Sequence, residues 1–155
     1  PAEHPPPSRI VLIPPAKPAV EDLYGFDALV FVPHEARGRV VTIRCAANMT
    51  RRGPPRPMPF VDEWFPGSTP TSRVLTKSRG TTTLRRPLEI WYCPVSQARQ
   101  SPLNRAVAQL TMGAEERPWY GPVVVMKFYG PSRKEYADAD TREFPRLANF
   151  FRKWP

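Results

Sequence analysis

His34 and Glu35 stand side by side, with Arg37 and Arg39 close behind. A base, an acid and a cation for the phosphate are what a small nuclease or hydrolase needs. Neighbouring residues on a strand point to opposite faces, however, so these two side chains are poorly placed to act together. The plainer reading is a loop histidine at the end of a strand. The other histidine, His4, lies in a proline tract. Cys45 and Cys93 are far apart in sequence, without the paired short spacings that zinc sites use. The chain holds no Gly-rich phosphate cradle and no nucleophile elbow around a serine, two patterns that would signal nucleotide binding or acyl transfer. No catalytic residue, metal or cofactor is therefore expected, and a nuclease or hydrolase built on His34 is the weaker alternative.

The other side chains that can do chemistry are arginines. The net charge is +9 over 155 residues, and it is concentrated. Residues 37–105 carry thirteen bases against three acids, a net of +10, while residues 1–35 contribute −3 and residues 106–155 contribute +2. All but one of the thirteen are arginine, whose planar fork suits phosphate and stacks on flat rings. Such a segment draws in polyanions. The candidate nucleic-acid-binding residues are Arg51, Arg52, Arg56, Arg73, Lys77, Arg79, Arg85 and Arg86. The plain counter-reading is a solvated basic face paired with local carboxylates. An acidic protein partner, met by the proline-rich segment or an exposed sheet edge, is the alternative among interaction modes.

The elements that must position these groups are constrained first by proline. The chain has 22 prolines, well above the usual ~5%, and each one fixes φ and removes a donor. Long helices are excluded, and short strands, short helices and rigid loops remain. Residues 1–8 read as an extended proline-rich segment, and residues 9–155 as a single domain. Residues 9–13 read as a short strand, residues 20–25 as a helical turn, and residues 27–32 as an apolar strand buried on both faces. Residues 39–46 form the next strand, joined by a hairpin in which Gly38 supplies a positive φ.

From 48 to 83 the periodicity is lost among prolines, glycines and arginines. This stretch reads as one long Pro/Arg-rich loop, pinned by Phe60, Val61, Trp64 and Phe65, and a loop of that length is usually functional. Residues 88–95 are a third long strand, with Pro94 placing it at an edge or a bulge. A helix opens at Ser101-Pro102 and closes at Gly113. Residues 122–129 are the strongest strand, expected at the sheet centre. Residues 141–154 form a terminal helix capped by Asp140, with Glu143 in its first turn. Trp91 and Tyr92, being adjacent on a strand, face opposite sides. The two cysteines read as buried free thiols.

The segment Pro118-Trp119-Tyr120-Gly121-Pro122-Val123-Val124-Val125-Met126-Lys127 resembles a Trp-x-Gly-x-Val-Val-Val-x-Lys pattern in uncharacterised proteins of mushroom-forming fungi. The resemblance covers about ten residues and implies a fungal origin and no function. The expected fold is α+β: an antiparallel or mixed sheet of about five strands, two short helices on one face, and the long loop. No apolar run approaches the ~18 residues of a membrane span. The expected role is a non-enzymatic binding domain for nucleic acid or another polyanion. The expected setting is intracellular, nuclear or cytoplasmic.

Overall fold

The computed structural model describes residues 9–10, 23–46, 58–78 and 82–153. A largely apolar run, buried on both faces from Ala28 to Phe31, forms β2 (Leu23–Phe31), which the short β1 (Arg9–Ile10) joins at its start. Residues 23–25 thus belong to a strand and not to a helical turn. Leu23 and Tyr24 pair across to Ala46 and Cys45, and that ladder outweighs the weak helical signal of nearby acidic residues. β3 (Arg39–Ala46) returns antiparallel with Val30 opposite Arg39. Gly38 is required here for space and not for a positive φ: a Cβ at this position would overlap the Phe31 ring.

The stretch expected to be one loop is partly ordered into strands. β4 (Met58–Pro59) pairs with the end of β3, a 3-10 turn spans Asp62–Trp64, and β5 (Thr71–Ser78) pairs with the long β6 (Thr82–Tyr92). Residues 47–57 and 79–81 lie outside the described set, as do the proline-rich residues 1–8. β5 escapes a sequence reading because it is an edge strand in which only Val74 and Leu75 are apolar. Val61 and Phe65 do anchor the segment in the core, and Trp64 packs beside them. Phe60 does not, since it keeps 45% of its surface exposed.

β6 ends at Tyr92, and it lies between β5 and β7 (Val123–Phe128), so it is interior. Pro94 neither bulges nor edges it. Instead Pro94 opens α1 (Pro94–Arg99) as its first residue, where a missing N–H costs nothing. α2 (Arg105–Thr111) begins later than Ser101-Pro102. Its cap is Asn104, fully buried, whose Oδ1 accepts from Val107 N at 2.9 Å while its Nδ2 donates to the carbonyls of Phe31 and Gly121. One amide therefore fixes the start of a helix to the end of β2 and the approach to β7. The helix closes as expected, with Met112 and Gly113 both at positive φ.

β7 occupies the interior of the sheet between β2 and β6, as its apolar run requires. β8 (Tyr136–Ala137) pairs with its end. Asp140 then caps the 3-10 turn Thr141–Glu143, accepting from Arg142 N, and the turn leads into α3 (Phe144–Lys153). All strand pairs among the described residues are antiparallel, in the order β4-β3-β2-β7-β6-β5.

Alternation splits the interior into two layers. Leu29, Phe31, Leu88, Ile90, Val123 and Val125 face α2 and α3, meeting Val107, Leu147, Phe151 and Trp119. The opposite side gathers Phe26, Ala28, Val30, Ile43, Val124 and Met126 under Val61, Phe65 and Tyr136. Val41 of β3 and Val74 of β5 lie towards opposite edges of the sheet, yet both pack on this second cluster. That requires the sheet to curl, as its natural twist favours. The fold is an α+β arrangement with a curled antiparallel sheet and short helices. Among the described residues no helix is long and apolar enough to cross a membrane.

Candidate functional site

The eight candidate bases divide by position. Arg51, Arg52, Arg56 and Arg79 lie outside the described residues. Arg73 and Lys77 are on β5, Arg85 and Arg86 on β6, and all four are exposed. They therefore sit on two adjacent strands of one hairpin. Residues 71–92 hold five bases and one acid, Glu89.

The register explains how this hairpin displays them. Leu75 lies opposite Leu88 and Lys77 opposite Thr83, so the four residues 84–87 of β6 face Thr76 alone. Extra residues on one strand bulge it and break the alternation of side chains. Arg85 and Arg86 are consecutive, and a regular strand would turn one of them inward. In the bulge both reach solvent, while Leu84 and Pro87 are buried and hold the loop down.

β7 pairs with β6 only from Leu88 to Tyr92. Beyond that point, among the described residues, β6 pairs with β5 alone, so the outer half of the hairpin is a two-stranded arm. Lys77 and Thr83 are directly opposite, hence on one face, and exposed Arg85 follows two residues along while Leu84 between them is buried. Arg86 lies at the base of the arm with its guanidinium 5.1 Å from the centre of the Tyr129 ring, close enough for a cation–π attraction. The pairing of Tyr129 with Arg86 was not readable from sequence. Its role depends on a register between distant strands.

The one acid of the hairpin is turned away from this display. Glu89 pairs opposite Val74, on the inner layer, whereas Arg73 pairs opposite Ile90 of the helix-facing layer. Its Oε1 accepts from Trp91 Nε1 at 2.7 Å and from the Tyr136 hydroxyl. Burial, and then the charge and hydrogen bond of Glu89, hold the Tyr136 phenol well above its ordinary 10.0. Burial, followed by the same carboxylate, also pushes the Cys45 thiol far up. Cys93, the cap residue of α1, moves the other way. Burial raises it, but hydrogen bonds from the Ser68 and Ser96 hydroxyls and the N–H groups of Ser96 and Val95 outweigh that. Both thiols are free and buried.

Several ion pairs lie on other segments. Arg39 binds Glu35 at 2.9 Å and also lies over the Trp64 ring. Arg142 binds Asp140 at 2.7 Å. Buried Glu143 takes Lys127 and Arg146 at once. His34 is exposed at the end of β2, on the rim of a groove of about 810 Å³ lined by Trp64, Phe65, Pro66, Leu103 and Arg105. The carboxylate of Glu35 is engaged by Arg39. Among the described residues, no group of three or more His, Cys, Asp or Glu side chains comes together as a metal site would require.

Comparison with protein-family models, with curated proteins and with solved structures finds no match for this chain.

Proposed function

We propose that this chain is a non-enzymatic binding domain for polyanions, above all nucleic acid, and that the β5–β6 hairpin carries the contact surface. The single observation behind the reading is that Arg73, Lys77, Arg85 and Arg86 are exposed together on this hairpin while its one carboxylate, Glu89, serves Trp91 and Tyr136 on the inner layer. Arg51, Arg52, Arg56 and Arg79, which lie outside the described residues, are proposed as further contacts. An intracellular setting, nuclear or cytoplasmic, belongs to the same proposal, and the two unpaired thiols agree with it.

Binding carried by phosphate neutralisation releases counterions, so log affinity falls linearly with log salt at about 0.9 per contact on duplex DNA. Fluorescence anisotropy with labelled DNA and RNA, titrated with the full chain across a range of salt, is the test. A steep linear decline is expected. A flat dependence, or capture of an acidic protein with no binding to either nucleic acid, would reject the reading in favour of a protein-interaction module.

A further inference from the structure

We infer that the arm formed by the outer half of the β5–β6 hairpin enters the major groove of double-stranded DNA. The inference rests on the polyanion reading and names the form of nucleic acid that the arm can accept.

The shape sets the choice. Past Leu75 and Leu88 the arm is two strands wide, with no third strand beside it among the described residues. Paired strands are ~4.8 Å apart, and side chains bring the ribbon to roughly 10 Å. A B-form major groove, about 12 Å wide and 8.5 Å deep, admits a two-stranded ribbon, whereas a minor groove about 6 Å wide does not. The major groove of an A-form RNA duplex is deep and too narrow for side chains to read.

The surface chemistry agrees with the shape. On the arm Leu84 and Pro87 are buried, while Lys77, Thr83, Arg85 and Arg86 are exposed. A ribbon of this kind turns one face to the base edges and rests the other on its own protein. Arg85 has the fork that pairs with O6 and N7 of guanine, and Thr83 offers a hydroxyl and a methyl to whichever base lies next to it. Arg86, stacked on Tyr129 at the foot of the arm, and Arg73, further along β5, lie where the groove's phosphate walls would pass.

The experiment uses the full chain and four probes at one salt concentration: a guanine-containing DNA duplex of 20 base pairs, the RNA duplex of the same sequence, the single DNA strand, and heparin. Each is measured by anisotropy or competition. The expected result is a DNA-duplex affinity at least about five-fold above that of the RNA duplex, abolished by a major-groove dye and spared by a minor-groove dye. Replacing guanine with 7-deazaguanine, which deletes N7 and leaves the backbone unchanged, should weaken binding by about five-fold or more. Arg85→Ala should erase that 7-deazaguanine effect while the variant keeps the wild-type circular dichroism spectrum. Equal affinity for DNA duplex, RNA duplex and heparin would overturn the groove inference and leave polyanion binding standing. Failure to bind any of the four would overturn both.

Discussion

Tyr136 and Glu89 show how much a single part-buried pair can organise. The phenol is buried and donates to a carboxylate that also holds the indole of Trp91. Hydrogen bonds to charged acceptors contribute roughly 1.5–3 kcal/mol. Tyr136→Phe should therefore lower stability by about that amount at neutral pH, measured by urea unfolding with an unchanged slope. The same change should alter the alkaline limb in the opposite sense. The folded-state pKa of Tyr136 is raised above 10.0 by burial and by Glu89, so its contribution is complete below the unfolded value and is lost as pH climbs through the folded one. Cys45, displaced upward by burial and the same carboxylate, adds to this loss from its ordinary value of 9.0. Wild-type stability should fall steeply above pH 9 to 10, and the phenylalanine variant should fall less. Equal alkaline slopes in the two proteins would mean that the phenol does not titrate with unfolding.

At the scale of elements, the β2–β3 hairpin depends on what Gly38 lacks. Phe31 is fully buried between the sheet and α3, with its ring against Phe144 and Phe151. A methyl group at position 38 collides with that ring, which has no room to retreat. Gly38→Ala should cost about 1–3 kcal/mol, the usual penalty for overpacking, while Gly67→Ala, where open space surrounds the added Cβ but φ is +72°, should cost only the backbone strain. Thermal unfolding of the two variants separates crowding from conformation.

Gly38 also marks what a linear reading can and cannot reach. Its place in a turn was legible from Arg37-Gly38-Arg39, but its reason was not, because Phe31 meets it only after the strands pair. β7 and α3 were legible because each announces itself locally: one by a run of valines between glycines, the other by Phe144, Leu147 and Phe151 at helical spacing after a capping Asp140. β5 and the late start of α2 were not. An edge strand needs few apolar residues when one neighbour supplies its ladder, and Asn104 outranks Ser101 as a cap because two carbonyls and an N–H from three separate segments converge on its amide. The candidate bases were legible as a composition. Their grouping was not, since the bulge that exposes Arg85 and Arg86 together exists only in the pairing of β5 with β6.

For the molecule as a whole, the question is whether net charge or its placement governs binding, and the fold allows the two to be separated. Substituting Arg73, Lys77, Arg85 and Arg86 by Gln takes the net charge from +9 to +5. Substituting Arg37, Arg99, Arg117 and Lys134, equally exposed but placed on other segments, gives the same +5. Both sets should fold, because exposed substitutions usually stay within about 0.5 kcal/mol each, with Arg86 losing in addition its stack on Tyr129. A field set by total charge would weaken both proteins alike and slow association equally. A contact surface on the hairpin predicts otherwise: the slope of log affinity against log salt should shrink by up to about 3.6 in the first variant, at roughly 0.9 per lost phosphate contact, and by less than one contact in the second. If the two variants lose slope equally, the bases act as a diffuse cloud, and the bulge that gathers them has no part in recognition.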